Sequence, residues 1–421
     1  MIWENLHIYL FLLSVFIFVG TFAYIKLTYP FWSCQPVYHT YDIWRHLATS
    51  PGIISVQNRP TKFCDFRKVA TEDYLDSDSA SIDAAVDLLQ CFFLSQEDTI
   101  YIVHRRILDA LMTGHLHPSY ISVYRETQYA GGTPMNGPTT GVDGSITQIQ
   151  RPIGVVFSRT CTLKMGALRL DTYYVDQYAV HREKVPGSGS RGLVPAHHHV
   201  GRVLLQTHLH NVRRLSEIDT AILKTSEPYA GVVPLITFPS SLCRFIEIRA
   251  VPKLPAHFVL AAIRPENVQK DCLDFLPEYE FECMTGLGNL AAQLKEGIIW
   301  IYALRRKDRC YAMYFFRDSR VQYEKTDRKS GNVILELTNS VKMCQSEELY
   351  LRGLIRALTD IQNIKKGVFE YISIDHVSDN AVAVEYMRPR FVEQNSNYLY
   401  LYNYFISGVT KPDPRNSLIL L

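Results

Sequence analysis

The apolar positions of this chain fall into three kinds of run. The first is continuous. Ile8–Ile25, IYLFLLSVFIFVGTFAYI, contains no charged residue, and roughly 18 such residues are at the short end of what crosses a bilayer as a helix. The second recurs at helical spacing. Ala84, Leu88, Leu89 and Phe92 share one side of a helix over Ser81–Leu94, and further helices are predicted at Val103–Met112, about Val200–Arg214, and Glu347–Gln362. The third is short and rich in β-branched and aromatic residues. It predicts strands at Tyr120–Tyr124, Ile153–Thr162 and Arg169–Val180, then at Gly297–Leu304, Cys310–Phe316, Val333–Leu337, Val368–Ile374, Ala381–Tyr386 and Tyr398–Tyr404. Lys164–Gly166 reads as a turn, RRKDR at Arg305–Arg309 as a hairpin tip, and Thr127–Gln150, with its Gly, Thr and Pro, as a long exposed loop. Helices alternating with strands give an α/β pattern. The two halves repeat the order of elements without repeating residues.

Composition sharpens this picture in two places. A 421-residue chain with 47% hydrophobic and 20% charged residues is an ordinary packed protein of two to three domains. Its net charge of +2 gives no reason to expect a nucleic-acid partner. The nine cysteines have no paired spacing, which suits a reducing compartment. Only Glu4 and His7 precede the apolar run as polar flanks, so the basic start of a cleaved signal peptide is missing, while Lys26 follows directly. The expectation is an uncleaved single-pass anchor with the globular part in the cytosol.

Candidate chemistry begins at VDQYAVH. A strand ends near His181, a glycine-bearing loop follows, and a helix is expected to open near Val200. Free amides at a helix start bind anions such as a pyrophosphate, with Arg202 available to add charge. His197–His199, His208 and His210 are not spaced as zinc ligands, and no metal is expected.

Four patches then bear a family resemblance. FWSCQPV (Phe31–Val37), VDQYAVHRE with Val180–His181, YAGVVPL (Tyr229–Leu235) and NYLYLYNYFISG (Asn397–Gly408) stand in order before the apolar ending LILL. They resemble the N-myristoyltransferases of the GNAT superfamily. The resemblance implies an α/β (α+β) fold of two GNAT-like halves around one continuous mixed twisted sheet, preceded by an N-terminal transmembrane helix. It divides the chain into an anchor (1–30), an acyl-CoA-binding half (31–245) and a peptide-binding half (246–421). It implies transfer of a fatty acyl group from acyl-CoA, a cosubstrate rather than a bound cofactor, to the N-terminal glycine amine of a client protein, by a monomer.

Site residues follow from the same resemblance. Phe31, Trp32, Gln35, Val180, His181, His198, His199, Val200, Gly201 and Arg202 would hold the coenzyme. Asp176, Tyr400, Tyr402 and Asn403 would face the peptide. The Gln177 and Tyr178 amides would form the oxyanion hole, and the Leu421 carboxylate would be the base. A chain-terminal carboxyl is ordinarily acidic, at about 3.3–3.7, and burial among LILL is expected to raise that value. The sequence departs from the family where three histidines replace the basic phosphate loop, where residues 183–196 look inserted, and where Asp176 stands for Asn. Two other readings stand beside this one: a GNAT enzyme using an acetyl or aminoacyl donor, and an inactive membrane-tethered binding protein of the same fold.

Overall fold

The computed structural model describes residues 6–48, 50–92, 99–130, 147–181, 195–245, 253–323, 332–365, 368–388, 391–406 and 411–421. The chain opens with α1 (Leu6–Thr28), α2 (Pro30–Ser33), α3 (Ile43–Ala48), β1 (Gly52–Ile53), β2 (Val69–Asp73) and α4 (Ser79–Phe92). It continues through β3 (Thr99–Tyr101), α5 (Arg105–Met112), β4 (Tyr120–Ala130), β5 (Thr147–Met165), β6 (Leu168–Val180), α6 (Pro195–Leu215), β7 (Ala221–Thr225) and β8 (Ile236–Arg244). Next come β9 (Val259–Ala262), α7 (Val268–Asp271), β10 (Phe281–Thr285), α8 (Leu287–Lys295), β11 (Ile299–Arg306), β12 (Arg309–Tyr323) and β13 (Asn332–Lys342). The last elements are α9 (Glu347–Ile364), β14 (Phe369–Asp375), α10 (Asn380–Met387), β15 (Phe391–Tyr402), β16 (Tyr404–Phe405) and β17 (Ser417–Leu420).

Among the described residues fifteen strands make one mixed sheet whose main path runs β17-β10-β5-β6-β7-β15-β8-β14-β13-β12-β11-β9. The helices pack on it. Val203, Leu204 and Val212 of α6 join Tyr173 and Val175 of β6 in one apolar cluster, and Leu354, Leu358 and Ile361 of α9 join Tyr314, Leu335 and Leu337 in another. The long strand β5 organises the first half. One of its edges carries β6, while the other carries β4 as far as Ser158 and then β10 from Cys161. Arg159 sits at that change of partner. β8 closes the residue range of the first predicted half, yet both of its neighbours, β15 and β14, come from the second.

Three expectations change. The strand predicted at Ala381–Tyr386 is α10. Asn380, Ala383, Val384 and Met387 are its buried positions, a helical spacing, so packing overrides the β-propensity of AVAV. The predicted loop Thr127–Gln150 contributes strand at both ends, to Ala130 and from Thr147, and its middle lies outside the described residues. The helix expected near Val200 begins at Pro195, a residue suited to the first helical turn because it has no amide to satisfy.

Candidate active site

β6 and β7 are parallel neighbours for only three residue pairs, the last being Val175–Leu223. β7 carries β15 on its other edge along its whole length, and beyond Val175 β6 has no strand partner on the β7 side among the described residues, so the sheet opens into a wedge. The same place carries a bulge. Ser158 faces Val175 and Val156 faces Tyr178, leaving Asp176 and Gln177 together opposite Phe157. The bulge turns the strand. His181 donates its amide to Ile153 on the β5 side. Alternation along the strand therefore turns the backbone of Tyr178 and Val180 toward the wedge. Of the two expected oxyanion amides, the Tyr178 amide faces the wedge and Gln177 belongs to the bulge. The ring of His181 lies against Phe92, 4.7 Å between centroids.

Asp176 stands at the head of a charged cluster. Its Oδ2 accepts from Arg159 Nε at 2.8 Å, and its Oδ1 accepts from Gln177 Nε2 at 3.3 Å. Arg159 is 1% exposed. It also donates to Thr285 and to Asn289 and lies over the Tyr174 ring. Asn289 in turn donates to the carbonyls of Ala110, Leu111 and Thr113, tying α8 to the end of α5. Tyr101 of β3 hydrogen-bonds the Gln177 side chain, and burial, then the Asp176 charge, push its phenol up.

Opposite lies Arg317 of β12. Its Nε donates to Glu336 at 2.6 Å, and its Nη1 donates to the terminal oxygen of Leu421 at 2.9 Å. Burial opposes the Arg317 charge, but Glu336, Tyr174 and Asp176 together hold it. The surroundings of Leu421 are therefore not only apolar, as LILL suggested. A guanidinium beside a carboxylate favours its ionised form, against the effect of burial. Three carboxylates, those of Asp176, Glu336 and Leu421, here meet two guanidiniums.

β17 brings Leu421 to this place. It runs parallel to β10, Phe281 opposite Ser417 through Met284 opposite Leu420. Among the described residues its other edge has no strand partner, and side chains replace one. The Asn339 amide donates to the Ile419 carbonyl and accepts from the Ile419 amide, while Ser378 donates to the Ser417 carbonyl. A cavity of ≈ 20 Å³ borders Leu421, Arg317 and Thr285, room for about one water. Thr285 also borders a wider groove of ≈ 590 Å³, lined by Lys164, Arg169, Glu282 and Leu287.

The remaining predicted residues fall in two places. Phe31 is buried, and Trp32 stacks on Tyr229 at 4.0 Å. Tyr229 continues onto Tyr400 at 4.7 Å and donates its amide to the Tyr400 hydroxyl. Gln35 is buried beside them, its amide donating to the Phe31 carbonyl. Tyr402 bridges to Val37. Asn403, at φ +60°, spends its side chain on the Ser55 backbone and the Asp219 carbonyl. Tyr400, Tyr402 and Asn403 thus hold the segment after α2 in place, and only Asp176 of the four expected peptide contacts lies in the charged cluster. In α6, His198 is in the first turn, with His199, Val200, Gly201 and Arg202 following. Within the helix the amides without a helical acceptor are then those of Ala196 and His197. Gly201 has a packing reason instead: a Cβ there would lie 2.1 Å from the Tyr178 hydroxyl.

Arg159, Arg317 and Glu336 were not singled out from the sequence. A signal existed, since each is a charge inside an apolar strand run, GVVFSRTCTL, YAMYFFRDS and VILELT.

Splayed parallel strands and a bulge at the split thus stand on one mixed sheet with helices packed against it. Among solved structures the chain is similar to N-myristoyltransferase of Saccharomyces cerevisiae with bound myristoyl-CoA, at 10% identity over 93% of this chain and 99% of that one, TM-score 0.64. A structure of the same protein with myristoyl-CoA and inhibitors matches at 11% identity over 94% and 98%, TM-score 0.62. The chain has that fold. No family model matches the sequence, and no curated protein matches it.

Proposed function

We propose that this protein is an N-acyltransferase that moves a fatty acyl group, myristoyl first among the candidates, from CoA to the N-terminal glycine amine of a peptide. The observation that carries this reading is the charged cluster beside the β6 wedge. Its excess carboxylate suits an ammonium, and the wedge suits an extended thioester lying along β6 past Tyr178 and Val180. In this reading α1 anchors the chain with its body in the cytosol, residues 31–245 serve the coenzyme, and residues 246–421 serve the acceptor. Phe31, Trp32 and Gln35 shape the coenzyme side with Val180 and His181, and the first turn of α6 receives phosphate through its free amides.

The acceptor ammonium enters between Asp176 and Leu421, and its chain leaves by the groove beyond Thr285. The Leu421 carboxylate takes a proton. The freed amine attacks the thioester carbonyl carbon, forming the C–N bond. Charge developing on the carbonyl oxygen is met by backbone donors at Gln177 and Tyr178. The C–S bond then breaks, the nitrogen gives up its second proton, and CoA leaves as the thiol with one of the two protons while the other passes to solvent.

The test is acyl transfer by the purified full-length protein to a Gly-initiated peptide and to its Ala-initiated counterpart. Myristoyl-CoA turnover restricted to the first supports the reading. Preference for acetyl-CoA points to a different GNAT reaction, and tight acyl-CoA binding without turnover points to a binding protein.

A further inference from the structure

The apolar helix α1 does not stand clear of the body. Phe22 meets Tyr41 edge to face at 5.0 Å, and Gly231, at φ +75°, makes room for Ile25. Its apolar span, His7–Thr28, is 22 residues, about 33 Å of helix against a hydrocarbon core of about 30 Å. Little of it is spare. Phe22 lies one helical turn before Lys26, about 6 Å deeper. Whatever packs on Phe22 is therefore held at the depth where the bilayer begins. Tyr41 is that contact, itself stacked on His39 at 4.7 Å, and α3 starts two residues later. The first two residues of α3 are Ile43, 45% exposed, and Trp44, 82% exposed. Tyr24 and Tyr29 are also exposed near the end of α1.

We propose that α3 lies in the membrane interface beside α1, with Ile43 and Trp44 inserted at the boundary between headgroups and acyl chains. The partner is a lipid surface. Aromatic side chains collect at that level, and Arg45 is paired with Asp42, so the contact does not require anionic lipid. Two contacts, α1 and α3, fix the rotation of the body about the helix axis, which a single spanning helix leaves free. Since Trp32 follows α1 by four residues, that fixed rotation also sets which way the acyl side of the wedge opens relative to the lipid.

This inference rests on α1 spanning the membrane, and the two are separable. Full-length protein is reconstituted into phosphatidylcholine vesicles, with or without bromine on the acyl chains, as wild type and as Trp44→Phe. The difference between the two emission spectra isolates Trp44 from the other three tryptophans. The expected result is a blue-shifted Trp44 component that loses most of its intensity in brominated lipid. Alkaline carbonate extraction is run on the same vesicles. Release of the protein means that the spanning helix is wrong. Retention with unquenched Trp44 overturns the α3 contact alone. Trp44 shielded equally in both lipids, with Trp44→Asp lowering the oligomeric mass, would mean that a second copy covers the patch.

Discussion

Arg317 decides how the proposed base behaves. Its guanidinium lies 2.9 Å from the Leu421 oxygen, and the group that must lose a proton in the proposed reaction is the acceptor ammonium, at about 7.7–8.0. The rate is expected to rise with pH to about 8 and then level. Arg317→Met removes the donor that holds the Leu421 oxygen and is expected to lower the rate about equally across that range, because misplacing the base by near 1 Å already costs about a hundredfold. A pH–rate profile of the two proteins checks it. Position matters as much as charge. Deleting Leu421 retracts the carboxylate by about 3.3 Å, and misplacements near 1 Å already cost about a hundredfold, so near-total loss of transfer is expected with folding retained. Leu421→Met keeps charge and volume and should be tolerated. A C-terminal extension working at full rate would remove Leu421 from the mechanism. A second test concerns Gly201. Gly201→Ala drives a Cβ into the Tyr178 hydroxyl, and overpacking costs about 1–3 kcal/mol. If packing is the reason for the glycine, adding Tyr178→Phe restores thermal stability and acyl-CoA affinity together. If phosphate approach is the reason, the double variant stays weak in calorimetric titration.

These residues also mark the limit of what the sequence disclosed. Asp176, Gln177 and Leu421 were legible because each sits inside a motif with its neighbours. Arg159 and Arg317 were not, because their partners arrive on other strands. An arginine in an apolar strand announces a buried partner without naming it, and the Arg159–Asp176 meeting depends on a one-residue bulge that no periodicity shows.

At the scale of elements, β17 is a strand with one ladder and one row of substitutes. Asn339 supplies a donor and an acceptor where a neighbouring strand would stand. Asn339→Leu leaves the Ile419 amide and carbonyl buried without partners, each at about 1–3 kcal/mol. The strand is then expected to fray and carry Leu421 away from Arg317. Amide exchange at Ile419 should accelerate and transfer activity should fall, while exchange in the β5–β6 ladder stays slow. Equal protection of Ile419 in both proteins would show that β10 alone holds the strand. The apolar ending LILL forms the strand. It could not disclose a polar brace supplied by Asn339 and Ser378. The early start of α6 was likewise hidden, since PAHHH has no apolar spacing to read.

At the scale of the molecule, acid should unfold this protein through its interior. Burial pushes the His208 ring down to about 3, with its Nδ1 held by the Ser122 hydroxyl at 2.8 Å. The unfolded chain binds that proton near 6.5. Between those values the unfolded state carries more protons, so stability is fully present above about pH 6.5 and is lost as pH falls toward 3. At pH 5 the loss from this one group is about 2 kcal/mol. His115, pushed down to about 4 by burial and then by Arg159, acts in the same direction. Thermal melts from pH 7 to 4 should fall steeply for the wild type and less steeply for His208→Gln. Parallel curves would mean that His208 takes up its proton without unfolding.

The wedge that opens between β6 and β7 has a counterpart on the far side of β7. β7 and β8 are consecutive in the chain, yet they touch only through β15, which begins at Phe391. On a growing polypeptide both strands are finished by Arg244 and then wait, each with an apolar, unsatisfied edge, until most of the chain has been made. Closing a loop of that length precedes any reward from the pairing, so the central seam is slow to form. During that interval the gap between β7 and β8 is a template for any extended apolar segment. The strand order that opens the wedge thus leaves the nascent chain with an exposed seam until β15 has been made.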